Sequence, residues 1–327
     1  MSSKKVIYLD QNKWIDIAKA VLNKPNSEMY TDVKDKILKK VSDGEWIFPL
    51  SIIHHFETMS RMDDRSRQEL SKVMGEISCN YSILPFMYVD KEEFINSLQK
   101  AKGLSIVDFK NEVICKDFAR AVGLDGKNIE ISGVTNPQQL EMIKEAATKI
   151  MENSNMFFEF MKLQSDSQFV TQLSNDNDVY IKEYEKLRAL YILKPKQHRY
   201  AIYIYNNYMD RFKTDLEKFL LEAKNSGISK EEVLPKNTFE NKEKTIEFLE
   251  SIPSFAVMMR LSYDIINNTT RNFDKNDYKD ISFLATAVPY CDVVITEKLW
   301  VSLIKSNKLD QKHNTFVTSN LNDLLNL

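Results

Sequence analysis

The chain has 327 residues, of which 43% are hydrophobic and 28% are charged, which is typical of a soluble globular protein with one large domain or two ordinary ones. Its formal net charge of −2 excludes a global basic field, so any nucleic-acid binding has to rest on local patches. Only seven glycines are present, which argues against a β-sandwich or barrel with many positive-φ turns and favours long helices.

The cysteines and the N-terminus bear on the cellular compartment. Cys79, Cys115 and Cys291 are far apart and odd in number, so they predict neither a zinc site nor a disulfide framework. The start "MSSKK" is not followed by an apolar segment of signal-peptide length, and no run of 18 apolar residues predicts a transmembrane helix. We therefore expect a cytoplasmic protein without membrane association.

The first 90 residues predict a β-α-α-β-α-α-β order, which is typical of a parallel sheet covered by helices. The three strands are the apolar runs "VIYLD", "EWIFPL" and "YSILPFM", and the segments between them have helical periodicity. From about residue 90 to 250 the strand signals stop, and apolar residues recur at three- and four-residue spacing.

The α/β order returns near the C-terminus. The segments "DYKDISFLATAVPY" and "KLWVSLIKSN" predict helices, "DVVIT" and "NTFVTS" predict strands, and "LNDLLNL" predicts a terminal helix. We therefore expect one parallel sheet built from both ends of the chain, with the first strand central. The predicted domains are 1–90 with 255–327, and an all-helical insertion over 91–254.

Asp10 ends the first predicted strand, at the point where a helix begins. In open α/β sheets, sites form outside the carboxyl ends of the strands, so Asp10 is a candidate metal ligand. The alternative is that it only caps the following helix, which aspartate does well.

Glu57 and Asp280 lie on predicted helices near these strands. Glu57 borders an apolar helix face with Ile53, where a carboxylate is costly unless it is paired or bound to metal. Asp280 opens an apolar helix, and the alternative reading is a first-turn acid favoured by the helix dipole, with Asp277 as the N-cap. His54 is interpreted as a helix residue near the site and not as a ligand.

Asp292 and Glu297 bracket the predicted strand "VVIT". Glu297 lies at its carboxyl end, as Asp10 does in the first strand, whereas Asp292 lies at the opposite end and favours a structural role on geometry alone. Three or four carboxylates at one sheet edge would repel each other unless divalent cations compensate them. Oxygen-only ligands suit Mg²⁺ or Mn²⁺, and two such ions can clamp a phosphodiester.

These motifs resemble the PIN domain nucleases. The first motif of that family corresponds to "VIYLDQN", with Asp10 and Asn12, and the second to "FPLSIIHHFE", with Glu57. The third and fourth correspond to "DISFLATAVPYCDVVITEK", with Asp280, Thr296 and Glu297. The resemblance covers about residues 4–90 and 255–327.

The chain departs from the family pattern at two points. Lys298 occupies the usual position of the final aspartate, so Glu297 or Asp292 takes the fourth acidic role, or the site has three acids. The helical block of roughly 160 residues has no counterpart in the compact family domain.

The resemblance implies a Rossmann-like three-layer α/β/α fold and a Mg²⁺- or Mn²⁺-dependent endoribonuclease, with RNA more often the substrate than DNA. It also implies roles for the matched residues. Asp10, Glu57 and Asp280 would hold the ions, Glu297 or Asp292 would complete the shell, and Asn12 and Thr296 would orient carboxylates or phosphate.

The helical block contains a basic and aromatic segment, "ILKPKQHRYAIYIYNNYMDRFK". Aromatic rings can stack on unpaired bases, but a tyrosine stripe at helical spacing is more often core. The block is a candidate surface for a homodimer or a regulatory protein, or for gating in a toxin or defence system. The alternative function for the whole chain is an inactive scaffold that binds RNA or a protein, which Lys298 favours.

Overall fold

The computed structural model describes residues 4–101, 109–122, 156–163, 167–207 and 242–327, together with single helical or turn positions at 138, 139, 141, 142, 145, 221, 224 and 227. The strands are β1 (Lys5–Leu9), β2 (Trp46–Ile47), β3 (Ser82–Ile83), β4 (Ile114–Cys115), β5 (Val293–Ile295) and β6 (Phe316–Thr318).

Helices make up most of the described chain. They are α1 (Gln11–Val21), α2 (Thr31–Ser42), α3 (Ile52–Met59), α4 (Asp64–Ser78), α5 (Phe86–Ala101), α6 (Lys110–Val113), α7 (Phe118–Ala121), α8 (Met156–Leu163), α9 (Ser167–Ile192), α10 (Lys242–Ser251), α11 (Pro253–Asn267), α12 (Asp277–Tyr290), α13 (Lys298–Ser306) and α14 (Leu309–His313), with 3₁₀ turns at Glu28–Tyr30 and Leu321–Asn326. Residues 196–207 are also helical.

The main sheet has four parallel strands in the order β2-β1-β5-β6. The central pairing joins the two ends of the chain, with Ile7 opposite Val293 and Leu9 opposite Ile295. This confirms the prediction that "VIYLD" and "DVVIT" share one sheet and that the first strand is central. The result is a small parallel sheet with helices, compatible with an α/β fold.

The strands are short, yet they are closed off from solvent. Val6, Ile7, Tyr8 and Leu9 of β1 are all buried, as are the three residues of β5. Because successive side chains point to opposite faces, burial of every position means that both faces are covered, as parallel sheets require. Trp14 and Ile17 of α1 are completely buried in the core cluster that contains Ile7 and Leu9.

The third predicted strand and the helical block differ from expectation. In "YSILPFM" only Ser82 and Ile83 form a strand, and it pairs antiparallel with β4. One parallel bridge joins Ser82 to Leu50, after β2. The expectation of an all-helical block is therefore wrong at β4, because Val113–Cys115 supplies hydrogen-bond partners for the open edge of β3.

The chain divides into two compact units. The first contains Met1–Pro85, Lys110–Thr171 and Tyr290–Leu327, and the second contains Phe86–Phe109 and Gln172–Pro289. These bounds differ from the predicted domains mainly at 110–171 and 255–289. Residues 255–289 belong to the second unit because α11 packs on α5 and α10 there.

Buried polar contacts hold the helices of the second unit together. Glu93 of α5, which is buried, accepts hydrogen bonds from the backbone N–H and the hydroxyl of Ser254, both at 2.8 Å, at the start of α11. At the other end of α11, Arg188 of α9 donates to the carbonyls of Ile265 and Ile266. The two ends of α11 are therefore fixed by charged side chains of opposite sign, as its helix dipole favours.

In the part of the chain that the structure describes, no helix combines the length and apolar character needed to cross a membrane.

Candidate functional site

Asp10 and Glu297 lie at the carboxyl ends of the two central strands. Asp10 directly follows β1, and its backbone N–H donates to the carbonyl of Ile295, the last residue of β5, at 2.9 Å. Glu297 follows two residues later, immediately before α13. Because β1 and β5 are parallel neighbours, both carboxylates come to the same edge of the sheet.

Both acids occupy the N-cap position of the helix that follows, yet neither side chain makes a capping hydrogen bond. The amides of Gln11 and Asn12 lie near enough to Asp10 to lower its pKa, without the geometry of a cap. The proposal that Asp10 only caps α1 is therefore not supported by its side-chain contacts.

The two acids are instead held by residues from each other's strand. Asn12, after β1, donates through Nδ2 to Oε1 of Glu297 at 2.9 Å. Thr296, after β5, donates through Oγ1 to Oδ2 of Asp10 at 3.3 Å. This reciprocal arrangement fixes the orientation of both carboxylates and places Asn12 and Thr296 where the sequence predicts orienting residues.

Asp10 is destabilised as an anion in this position. The residue is only 5% exposed. Burial, followed by the negative charge of Glu297, raises the pKa of Asp10 from 3.8 to about 6. Within the described residues, no lysine or arginine forms an ion pair with either Asp10 or Glu297. Among the residues that the structure describes, no cation therefore balances the negative charge of this pair by direct contact.

Glu57 lies on α3, whose inner face is attached to the end of β1. His54 Nε2 donates to the carbonyl of Leu9 at 2.8 Å, and Gln11 Nε2 donates to Thr58 Oγ1 at 3.0 Å. Glu57 is three residues after His54, so the two side chains are neighbours on the helix surface. Glu57 is half-buried.

The pKa of Tyr8 is affected by both Asp10 and Glu57. Burial is the main cause that raises the pKa of the Tyr8 hydroxyl, and the charges of both Asp10 and Glu57 raise it further. Two of the predicted acids therefore act on one buried phenol. The structure brings Asp10, Glu297 and the helix of Glu57 to one region of the first unit.

Ser51 and His54 form a buried network that the sequence did not predict. The Ser51 backbone N–H donates to His54 Nδ1 at 2.9 Å, and the Ser51 hydroxyl bonds to the hydroxyl of Tyr8 at 3.0 Å. Because Nδ1 accepts and Nε2 donates, the ring is neutral. Burial lowers its pKa to about 4. His54 is a positioning residue for α3, and only its serine start signal was visible in the sequence.

Asp292 lies at the opposite edge of the sheet from Asp10, as its place before the strand predicts, and its contacts favour the structural role over that of a metal ligand. Its Oδ2 accepts from the backbone N–H of Val6 at 2.7 Å, and its Oδ1 pairs with Lys110 at 3.2 Å. Val6 is four residues before Asp10, which corresponds to roughly 13 Å along a strand. Asp292 is a structural residue that fixes the amino ends of β1 and β5.

Asp280 belongs to the second unit, whereas Asp10, Glu57 and Glu297 belong to the first. It lies in the first turn of α12 and is half-buried. Asp277 is the first residue of that helix and not its N-cap. Its carboxylate accepts from Arg271 at 2.7 Å and from the backbone N–H of Asp274 at 2.8 Å.

The next strand of the sheet adds a further acid that the sequence analysis did not single out. Asp323 lies after β6 and accepts from the Thr318 hydroxyl through Oδ2 and from Asn320 Nδ2 through Oδ1 at 2.9 Å. Both of its oxygens are therefore engaged by its own turn. We assign Asp323 to the structure of that turn.

In the described part of the basic and aromatic segment, residues 192–207, the tyrosines are buried or partly buried, whereas residues 192–198 are exposed. Tyr203 is buried and packs edge-on against Tyr191, and Tyr200 packs under the guanidinium of Arg260. Arg199 donates to the carbonyls of Lys194 and Ile192, both at 2.8 Å. These contacts support the core alternative. The remaining part of the segment, from residue 208, lies outside the described residues.

Neither a cluster of metal-binding side chains in the described part of the chain nor a known relative identifies this region. Among the described residues, no group of three or more histidine, cysteine, aspartate or glutamate side chains is arranged to hold a metal ion. No protein-family model, curated protein or solved structure matches the chain. The resemblance to PIN domains therefore rests on the sequence motifs alone.

Proposed function

We propose that the chain is a metal-dependent nuclease that hydrolyses phosphodiester bonds, with RNA preferred to DNA. One observation carries the proposal. Asp10 and Glu297 are fixed side by side at the carboxyl edge of a parallel sheet, Asp10 is buried, and neither acid caps its helix. Such an arrangement is costly for folding, which is common at functional sites.

The donor set fits Mg²⁺ or Mn²⁺. These cations favour carboxylate oxygens, and Mg²⁺ is commonly bound by only one or two carboxylates, with waters and substrate phosphates completing its shell. Asp10 and Glu297 alone meet that need, so a cluster of three protein acids is not required. A cation would also relieve the repulsion that raises the pKa of Asp10.

The residues have distinct roles in this proposal. Asp10 and Glu297 hold the cation, and Glu57, in the same unit, is a further acid that the motifs assign to the site. Asn12 and Thr296 keep the two carboxylates in place through hydrogen bonds of 2.9 and 3.3 Å. When bound, the cation supplies the positive charge that activates water and stabilises the transition state at phosphorus.

The second candidate is an inactive scaffold that binds RNA or a protein. Lys298 directly after Glu297, and the absence of a three-acid cluster among the described residues, favour it. In an inactive scaffold, a buried carboxylate without a cation partner would lower stability without serving catalysis. Salt bridges to the acids would then be expected at the site. For Asp10 and Glu297, hydrogen bonds from Asn12 and Thr296 are observed instead.

The test is cleavage of labelled single-stranded RNA and DNA in Mn²⁺, in Mg²⁺ and in EDTA. We expect cleavage of RNA by the wild-type chain, loss of cleavage in EDTA, and a decrease of orders of magnitude in Asp10→Asn and Glu297→Gln. The control is Asp43→Asn, which removes an exposed acid after α2 and should leave cleavage unchanged.

Equal cleavage by Asp10→Asn and the wild type would refute the catalytic assignment. If the wild type cleaves neither nucleic acid in any metal, the scaffold becomes the better proposal. Thermal melts of every variant show whether lost activity reflects lost folding.

A further inference from the structure

A cavity of about 590 Å³ lies beside α1 and α4 in the first unit, apart from the two carboxylates. Part of its wall is apolar and includes Ile15, Leu22 and Pro25. Its volume is in the range of small-molecule and nucleotide-sized sites. The wall provides a surface against which the flat face of a base can pack.

The rest of the lining is mainly cationic. Lys19, Lys24, Arg61 and Arg65 line the cavity, whereas its acidic residues are Asp63 and Glu69. The cavity thus has two more cations than carboxylates, in a chain whose net charge is −2. An anionic ligand is the complementary occupant.

The cations differ in how they are neutralised. Lys24 and Arg65 share the carboxylate of Glu69, each at 2.9 Å. Arg61 donates only to the neutral hydroxyl of Ser66 at 3.1 Å, and Lys19 is exposed with no ion pair in the part of the chain that the structure describes. Lys19 and Arg61 are therefore the cations available to a phosphate.

One face of α1 connects the carboxylate edge to the cavity. On α1, Asn12, Ile15, Lys19 and Leu22 follow the three- and four-residue spacing of one face. Asn12 is the residue bonded to Glu297, and Lys19 lies about 10 Å further along the axis. Arg61 lies in the loop between α3 and α4, two residues after the end of the helix that carries Glu57.

We infer that the cavity binds a nucleotide that flanks the cleaved bond of a single-stranded substrate. Its phosphate would contact Lys19 and Arg61, and its base would pack on the apolar wall. This inference rests on the proposed function, since the acids define where the cleaved bond lies. It also specifies the substrate as a flexible single strand, because a duplex keeps its bases stacked and paired.

The test is binding of a fluorescently labelled single-stranded RNA, measured by anisotropy in EDTA so that cleavage plays no part. The variant is Lys19→Gln/Arg61→Gln, and the control is Lys39→Gln/Lys305→Gln, which removes the same charge from exposed positions on α2 and α13. Thermal melts establish that both variants are folded.

We expect the cavity variant to bind about tenfold more weakly and the control to bind as the wild type does. The plot of log affinity against log salt should become shallower by about 0.7, because the two cations contact one phosphate and each lost phosphate contact on a single strand removes about 0.7 from the slope. Unchanged affinity and slope would overturn the inference, as would an equal loss in the control or no binding by the wild type.

The binding and cleavage results separate the two proposals. A wild type that cleaves, combined with a cavity variant that binds normally, refutes the cavity and leaves the nuclease. A cavity variant that loses binding, combined with a wild type that never cleaves, supports the cavity and refutes the nuclease.

Discussion

At the scale of single residues, Asp10 links function to stability. Its pKa is raised from 3.8 to about 6, so the folded chain binds the proton more tightly than the unfolded chain does. Ionised Asp10 therefore destabilises the native state as the pH rises from about 4 through 6, and the full cost is present above that range. This rise of the Asp10 pKa corresponds to at most about 3 kcal/mol of native-state stability.

We predict that Asp10→Asn is more stable than the wild type at pH 7 without metal, by up to about 3 kcal/mol, because it removes the buried charge. Urea unfolding at pH 4, 5, 6 and 7 measures this difference, which should shrink towards zero at pH 4. A variant less stable than the wild type at pH 7 would contradict the assignment of an unbalanced charge.

Glu297 is the second cause of the raised pKa of Asp10, after burial. We predict that Glu297→Gln lowers the pKa of Asp10 below about 6 but leaves it above 3.8, since burial persists. Carbon-13 NMR titration of the labelled carboxyl group provides the measurement. If the pKa of Asp10 does not change, the two carboxylates are not electrostatically coupled, and their assignment to one site fails.

The residues that the sequence could predict are those whose position follows from topology. Asp10 and Glu297 follow neighbouring parallel strands. Once β1 is assumed to pair with β5, both acids are expected at the same edge of the sheet. The network of Ser51 and His54 could not be predicted, because it depends on which buried atoms each ring nitrogen meets. Asp292 shows the limit of motif matching, since strand direction places it at the other edge.

At the scale of elements, polar contacts join α3 to the end of β1. His54 satisfies the carbonyl of Leu9 and the backbone N–H of Ser51, both of which are buried. Removing the ring nitrogens would leave these two buried backbone groups without a hydrogen-bond partner. Each unsatisfied group lowers the free energy of unfolding by about 1–3 kcal/mol.

We predict that His54→Phe, which keeps a ring, lowers the free energy of unfolding by about 2–4 kcal/mol. Urea unfolding measures the change, with His198→Phe on an exposed residue of the second unit as the control. Similar stability of the two variants would mean that the network contributes little to the anchoring of α3.

In the second unit, Arg188 joins α9 to the end of α11 by hydrogen bonds. Its guanidinium donates to three carbonyls at 2.9–3.0 Å, those of Ile265, Ile266 and Arg271, and packs over Phe273. A lysine cannot reproduce this fork of donors.

We predict that Arg188→Lys lowers the free energy of unfolding of the second unit by about 2–3 kcal/mol. The matched control is Arg120→Lys, whose side-chain partner is Glu112 at 3.4 Å on the surface. Hydrogen exchange of the amides in α11 is the measurement, and unchanged protection there would argue against the role of Arg188.

Helix and strand types were largely predictable because their periodicities are strong, whereas their partners were not. The pattern of "SFAVMMRLSYDIINN" predicts a helix, and α11 covers Pro253–Asn267, but periodicity does not tell which surface the apolar face meets. For the same reason the two-residue strand β4 could not be predicted, since its pairing with β3 leaves almost no sequence signal.

At the scale of the whole molecule, the first unit is discontinuous in sequence. Its sheet requires β5 and β6, which lie after residue 290, and β1, which begins at Lys5. Residues on both sides of the second unit's segments therefore have to come together before the carboxylate edge exists.

We predict that a chain ending at residue 289 does not form the first unit, because β1 loses its central partner and Asp10 loses Thr296. Circular dichroism and one-dimensional NMR of the truncated chain would show lost tertiary structure. Adding the peptide 290–327 in trans should restore it in part, and a truncated chain that folds cooperatively would contradict the central role of β5.

The pairing of Ile7 with Val293 also has a consequence during biosynthesis. These partners are 286 positions apart. At typical rates of about 5–20 residues per second, β1 leaves the ribosome roughly 15–60 s before β5 exists. For that interval the apolar run "VIYL" presents an unpaired strand edge, to which a chaperone or a second nascent chain can bind. Yield in cells should therefore respond to translation speed and chaperone supply, even though the finished sheet is fully buried.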